Sequence, residues 1–193
     1  MSVVSNTNPA SVTISNTFPS GTNVTLFNTT EMTQIAGMTF TIDNATSMGF
    51  DLLGLDASSF ANPSTNVEMT LATWPKNTQP QFNYITKIQT GINTTLTFST
   101  IHRYIPKQLI KISVPRSFGM QEIDQRTVEI ISVTPYEVVV ALDSWYFSPF
   151  SFPPSNPFSI LPQGYITPLF ATVAPAGARN TYDLNYIPFQ PYG

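Results

Sequence analysis

Residues 31–46 read "EMTQIAGMTFTIDNAT" and residues 119–134 read "GMQEIDQRTVEIISVT". Set one beneath the other, Met32 falls on Met120, Ile35 on Ile123, Thr39 on Thr127, Ile42 on Ile130 and Thr46 on Thr134. In each, a Met and an Ile three residues apart are separated by polar residues and lead into an alternating apolar and polar run. Alternation of period two marks a strand with one face buried, because successive side chains point to opposite faces. A loop and strand written twice is a structural unit, not a singular catalytic loop. The match extends in both directions. After one residue is lost, "DLLGLDASSF" at 51–60 lies over "VVVALDSWYF" at 138–147, pairing Leu55-Asp56 with Leu142-Asp143 and Phe60 with Phe147. Upstream, "VTLF" at 24–27 is set against "ISVP" at 112–115.

The rest of the chain follows the same rule. Strand patterns occupy 11–15, 23–27, 38–43, 50–56, 67–72, 84–90, 94–100, 109–114, 126–133 and 137–143, with turn residues such as Pro19-Ser20-Gly21 and Asn62-Pro63 between them. Helical spacing is almost absent. Short strands at this spacing predict an all-β chain of two tandem small antiparallel β-barrel or sandwich domains. Their expected bounds are 1–75 and 84–151, joined by a Pro/Asn/Gln linker at 76–83. Nine of the 17 prolines fall in the last 45 residues, interleaved with Phe and Tyr. Proline lacks an N–H and favours extended backbone. Residues 152–193 are therefore expected to form an extended Pro/aromatic-rich C-terminal arm with no central strand, lying over its own domains or over a neighbour.

Composition narrows the function classes. Charged residues make up 10% of the 193 residues, against about 25% in ordinary soluble domains. Aromatic content of 12% argues against disorder. An uncharged polar surface rich in aromatics suits faces that pack against other chains. Residues 1–75 carry Glu31, Asp43, Asp51, Asp56 and Glu68 with no Lys or Arg, whereas 103–126 holds Arg103, Lys107, Lys111, Arg116 and Arg126. Opposite charge on the two halves fits head-to-tail contact in a ring. The net charge of −3 and the small basic cluster speak against specific nucleic-acid binding. No run is long and apolar enough for a membrane span, and the N-terminus has no signal-peptide pattern. The absence of Cys excludes disulfides and thiolate metal sites.

The strands "NTNPASVTIS" and "NVTLFNTTEMTQIAGMTFTIDNATSMGFDLLGLDASSF", and the second copy "IHRYIPKQLIKISVPRSFGMQEIDQRTVEIISVTPYEVVVALDSWYF", resemble a small β-module of bacteriophage tail and neck proteins. That module is known by its similarity to the FCCH half-domain of ubiquitin-activating enzymes. Its pattern runs from an "NPAVVT" strand through a "PHG" turn to a "GMTQ(I/V)NG" loop and a "TVANVT…F.L.G.DS…F" pair. The resemblance covers about three quarters of the chain. Here "NTFPSG" and "IHRY" stand in place of "PHG", and Gln125 stands where Gly37 stands in the first copy, so these turns are expected to differ from the family's. The related half-domain is non-catalytic.

Candidate chemistry is sparse. His102 is the sole histidine and falls at the family's turn, which favours a turn residue with a backbone hydrogen bond over an acid–base or zinc role. Asp56 and Asp143 could be read as a two-carboxylate hydrolase pair, but their equivalence in two repeats favours Asp-capped turns. Sequons at Asn23, Asn28, Asn44 and Asn93 are read as chance. No catalytic, cofactor-binding or metal residues are assigned, and no enzyme activity or cofactor is expected. The resemblance and the composition together imply a phage virion protein assembled in the bacterial cytoplasm. It would form a homo-oligomeric ring at the neck or tail with portal, tail or neck subunits as partners. Alternatives are a capsid decoration protein, a head or tail fibre, or a carbohydrate- or receptor-binding module using Trp74, Trp145 and Tyr146.

Overall fold

The computed structural model of the protein describes residues 2–27, 29–71, 83–155 and 171–176. The regular elements among them are strands and two single 3₁₀ turns, and the fold is all-β. The first module holds β1 (Val3–Val4), β2 (Ser11–Thr13), β3 (Asn23–Phe27), β4 (Thr39–Thr46), β5 (Gly49–Leu52), β6 (Ser64–Thr65) and β7 (Glu68–Leu71). The second holds β8 (Asn83–Gln89), β9 (Thr94–Phe98), β10 (Leu109–Ser113), β11 (Thr127–Val133), β12 (Glu137–Val140) and β13 (Thr172–Pro175). Every strand pattern read from the sequence overlaps one of these strands, although β4 runs on to Thr46 and β5 and β8 each begin one residue before the pattern. β1, β6 and β13 carried no such pattern: the first two are only two residues long.

The modules share one cyclic order. The second is a closed barrel, β10-β11-β12-β9-β8-β13, with β13 pairing back to β10. The first is a sheet ordered β6-β1-β2-β5-β4-β3-β7. Its edge strands β6 and β7 are separated in the chain only by Asn66 and Val67, and together they hold the place that β13 holds in the barrel. The 152–193 segment thus includes a barrel strand, contrary to its reading as an arm without one. Within "ATVAP" at 171–175 the prolines relent: Thr172 and Val173 are β-branched, Ala171 and Val173 are buried, and Pro175 comes last. The rest of that segment, beyond Ser155 and after Ala176, lies outside the described residues, as does the linker up to residue 82.

Pairing corrects the alignment of the copies. Val24 opposes Phe40 as Ile110 opposes Val128, so "VTLF" corresponds to "IKIS" at 110–113 and not to "ISVP". The connection onward to the Met loop is two residues longer in the second copy. A slip of two preserves strand alternation, which is why the sequence pattern cannot detect it. Likewise Ile42 opposes Leu52 as Ile130 opposes Val140, so the lost residue falls after β5 and β12, not before them. The apolar run Val138-Val139-Val140 has no alternation to fix its phase.

The two modules are packed together, and their buried side chains form one continuous core. β4 shows why. Phe40 and Ile42 fill the first module, yet the opposite-facing Thr39 and Thr41 are buried too. They meet the end of β9: the Thr41 amide donates to Ser99 O (2.8 Å) and Ser99 Oγ donates to Thr39 O (2.7 Å). Thr86 and Thr97 are buried on the same face of the second module, where Gly54 comes against them. Part of the uncharged Thr-rich surface therefore serves contact within the chain.

Candidate functional site

The repeated loop keeps its buried anchors and its closing turn in both copies but enters differently, with Met32 at φ −120° and Met120 left-handed at φ 57°. Met32 precedes the 3₁₀ turn Thr33–Ile35 and Ile35 ends it, Met120 precedes Gln121–Ile123 and Ile123 ends it, and all four apolar side chains are buried. Each loop then turns through a left-handed residue, Gly37 at φ 83° and Gln125 at φ 61°. The amides of these residues donate to Leu26 O (2.7 Å) and Ile112 O (2.9 Å), returning the chain to the preceding strand. The second copy thus keeps this turn without the glycine, where the sequence predicted a departure.

Both loops meet a single strap formed by residues 148–155. Ser148 donates its amide (3.0 Å) and its hydroxyl (2.8 Å) to Glu122 Oε1. Hydrogen bonds from Glu122's own backbone and from Ser148 hold the Glu122 carboxyl below its ordinary range. The Gly119 amide donates to Ser151 O (3.0 Å). Phe152 then lies between the modules, 5.4 Å from the Phe60 ring and 5.5 Å from the Phe118 ring, with Phe150 stacked 5.8 Å from Phe118. Ser155 Oγ reaches Thr33 Oγ1 (3.1 Å) on the first loop. This portion of the C-terminal segment packs on its own chain.

His102 is committed to the fold. The Tyr104 amide donates to Nδ1 (3.1 Å), which leaves Nε2 to carry the proton toward Glu137 O (3.1 Å). Its ring stacks on Tyr104 at 5.2 Å and meets Phe98 edge-on at 5.3 Å. Burial lowers its pKa, which favours the neutral ring. Tyr104, buried and with its pKa pushed up to about 12, donates its hydroxyl to Val173 O (3.0 Å) and so grips β13. The sequence did not single out Tyr104, since its partner lies 69 residues away.

Asp56 and Asp143 close matching turns. Oδ1 of Asp56 accepts from the Ser58 hydroxyl (2.6 Å) and amide (3.0 Å), and Oδ1 of Asp143 accepts from the Trp145 amide (3.0 Å). The Ser58 hydroxyl is the main cause of the lowered Asp56 pKa. Among the described residues no cluster of three or more His, Cys, Asp or Glu could hold a metal ion. The sequon residue Asn23 accepts from the Thr41 hydroxyl (2.7 Å). Asn44 bonds to Asp43 and Asp51, Asn93 is exposed, and Asn28 lies outside the described residues.

What remains available for contact is surface. Trp145 is 66% exposed and Tyr146 92%. Trp74 lies outside the described residues. Ile101, Ile105, Leu109 and Ile131 are exposed on the second module beside Arg103, Lys107 and Lys111. Among the described residues these three cations form no ion pair, and neither do Asp43 and Asp51 on the first module. No helix among the described residues is long and apolar enough to cross a membrane.

No protein-family model matches the chain, and no curated protein matches it.

Proposed function

We propose that the protein is a structural component of a bacteriophage virion that assembles into a ring at the neck or tail, in contact with portal, tail or neck subunits, and that it acts by contact, not by turnover. The observation that carries this reading is the doubled module. The loop that resembles the phage β-module is built twice with the same buried Met and Ile and the same left-handed turn. One strap then fixes both copies into a single body. A duplicated rigid module offers two related docking surfaces in fixed register, which suits a subunit that must hand contacts around a ring. Sedimentation and class-averaged electron micrographs of the purified full-length chain test it. A closed oligomer of uniform copy number is expected, and antibody to the chain should label the neck or tail of the particles. A monomer at every concentration, with unlabelled particles, would sink the reading.

A second reading, a carbohydrate- or receptor-binding module, is favoured by one observation. Trp145 and Tyr146 stand side by side and largely in solvent, where aromatic faces can stack on sugar rings. Binding on a glycan array that is lost in Trp145→Ala, with the chain monomeric, would select it.

A further inference from the structure

We propose that the Asp43–Asp51 pair of one copy is the receptor for Arg103 and Lys107 of a second copy, so that the chain associates head to tail through its two modules. The inference rests on the reading of the protein as a self-assembling subunit and specifies the contact. Asp43 and Asp51 are direct cross-strand partners on β4 and β5. Like charges so placed destabilise a sheet, and residues 1–75 supply no Lys or Arg to neutralise them. Asn44 partly compensates. Held at φ 49° between them, it donates its amide to Asp43 Oδ1 (2.9 Å) and its Nδ2 to Asp51 Oδ2 (2.8 Å). Asp43 Oδ2 and Asp51 Oδ1 are left without a protein donor among the described residues. Two neighbouring carboxylate oxygens of this kind suit a guanidinium fork.

The complementary surface lies on the second module. The Lys107 amide donates to Ile130 O (2.7 Å) and the Ile130 amide to Gln108 O (3.0 Å), which lays the 101–108 loop along β11. Arg103 and Lys107 thereby stand exposed among the exposed Ile101, Ile105 and Ile131. Apolar side chains ringed by unpaired cations have the make-up of a protein interface. A polyanion such as nucleic acid fits poorly, because the same chain presents five carboxylates and no cation over residues 1–75. A second copy of that acidic module fits well. One donor and one acceptor surface per chain make a heterologous contact, the kind that closes into rings.

The test uses two full-length variants, R103E/K107E and D43K/D51K, with folding checked by circular dichroism and association read by sedimentation velocity. Each variant alone should associate about tenfold or more weakly than the wild type. Their equimolar mixture should recover association, since one then carries only acidic contact faces and the other only basic ones. That recovery should fade in high salt. If the wild type assembles and both variants assemble equally well, this contact is wrong while the assembly reading stands. A mixture of folded variants that fails to recover would also overturn the contact. A wild type that stays monomeric removes both.

Discussion

Gln125 holds a backbone conformation that its counterpart Gly37 adopts without a side chain, φ 61° against 83°. For an L-residue this conformation costs about 1 kcal/mol relative to glycine. Its amide group recovers part of that through Asp124 Oδ1 (3.1 Å) and a long contact to Ser113 Oγ (3.4 Å), both in solvent. Gln125→Gly should therefore stabilise the chain by about 1 kcal/mol or slightly less, seen as a higher urea midpoint at unchanged slope. Gly37→Gln should do the reverse. A lower midpoint in Gln125→Gly would show that the side-chain bonds outweigh the strain. His102 makes a pH prediction. Burial lowers its folded pKa, while the unfolded chain titrates near about 6.5. As pH falls, protons bind the unfolded chain first, so the stability due to neutral His102 is complete above about pH 6.5 and is lost as pH falls through the lowered folded value. Wild type should lose stability as pH falls below about 6.5 more steeply than His102→Gln. The chain has a single imidazole, so its NMR titration reads the folded pKa directly. A midpoint at or above about 6.5 would contradict the assignment.

At the scale of elements, the strap decides whether the repeated loops act together. Phe152 is the ring that touches both Phe60 and Phe118. It is only partly buried, so Phe152→Ala should cost about 2 kcal/mol, below the range for a fully enclosed ring. It should also speed proteolysis within 148–155, and an unchanged cleavage rate would mean that the serine bonds alone hold the strap. The sequence made the strands legible because alternation is a local signal. It could not make their partners legible to the residue, because a slip of two leaves alternation intact, as at Val24 and Ile110. The Phe-rich stretch could be read as wrapping something. Its seat, formed by Phe60 and Phe118 from different modules, exists only after folding. β13 was hidden for a related reason: the surrounding prolines dominate any window, although Thr172 and Val173 within it favour a strand. The histidine and both aspartates, by contrast, do what residue type and turn context implied, since their partners are near in sequence or are backbone groups.

For the molecule as a whole, the issue is whether two similar modules behave as one. Low charge and abundant Thr marked surfaces meant for contact, but composition carries no information on which body supplies the partner. Thr39, Thr41, Thr86, Thr97 and Ser99 are spent on the contact between modules of the same chain. That leaves the charged and exposed apolar side chains at 103–109 and the carboxylates at 43 and 51 at the surface, while the Ile101 amide itself donates to Thr41 Oγ1 (3.2 Å) across the contact. Gly54 lies in the intrachain contact. A Cβ there would lie 2.7 Å from Phe98 O and 3.0 Å from Thr97 Cγ2, and its φ of 70° disfavours any branched side chain. Gly54→Val must therefore either distort β9 or push the modules apart. Because the core is continuous, the wild type should unfold in one transition with matching calorimetric and van't Hoff enthalpies. Gly54→Val should divide that transition in two, the first module melting at the lower temperature because its edges β6 and β7 are short and separate where the second barrel is closed. A single transition lowered as a whole would mean that the strap, not the Thr-lined contact, couples the modules, and the double variant Gly54→Val/Phe152→Ala would then be the one to split.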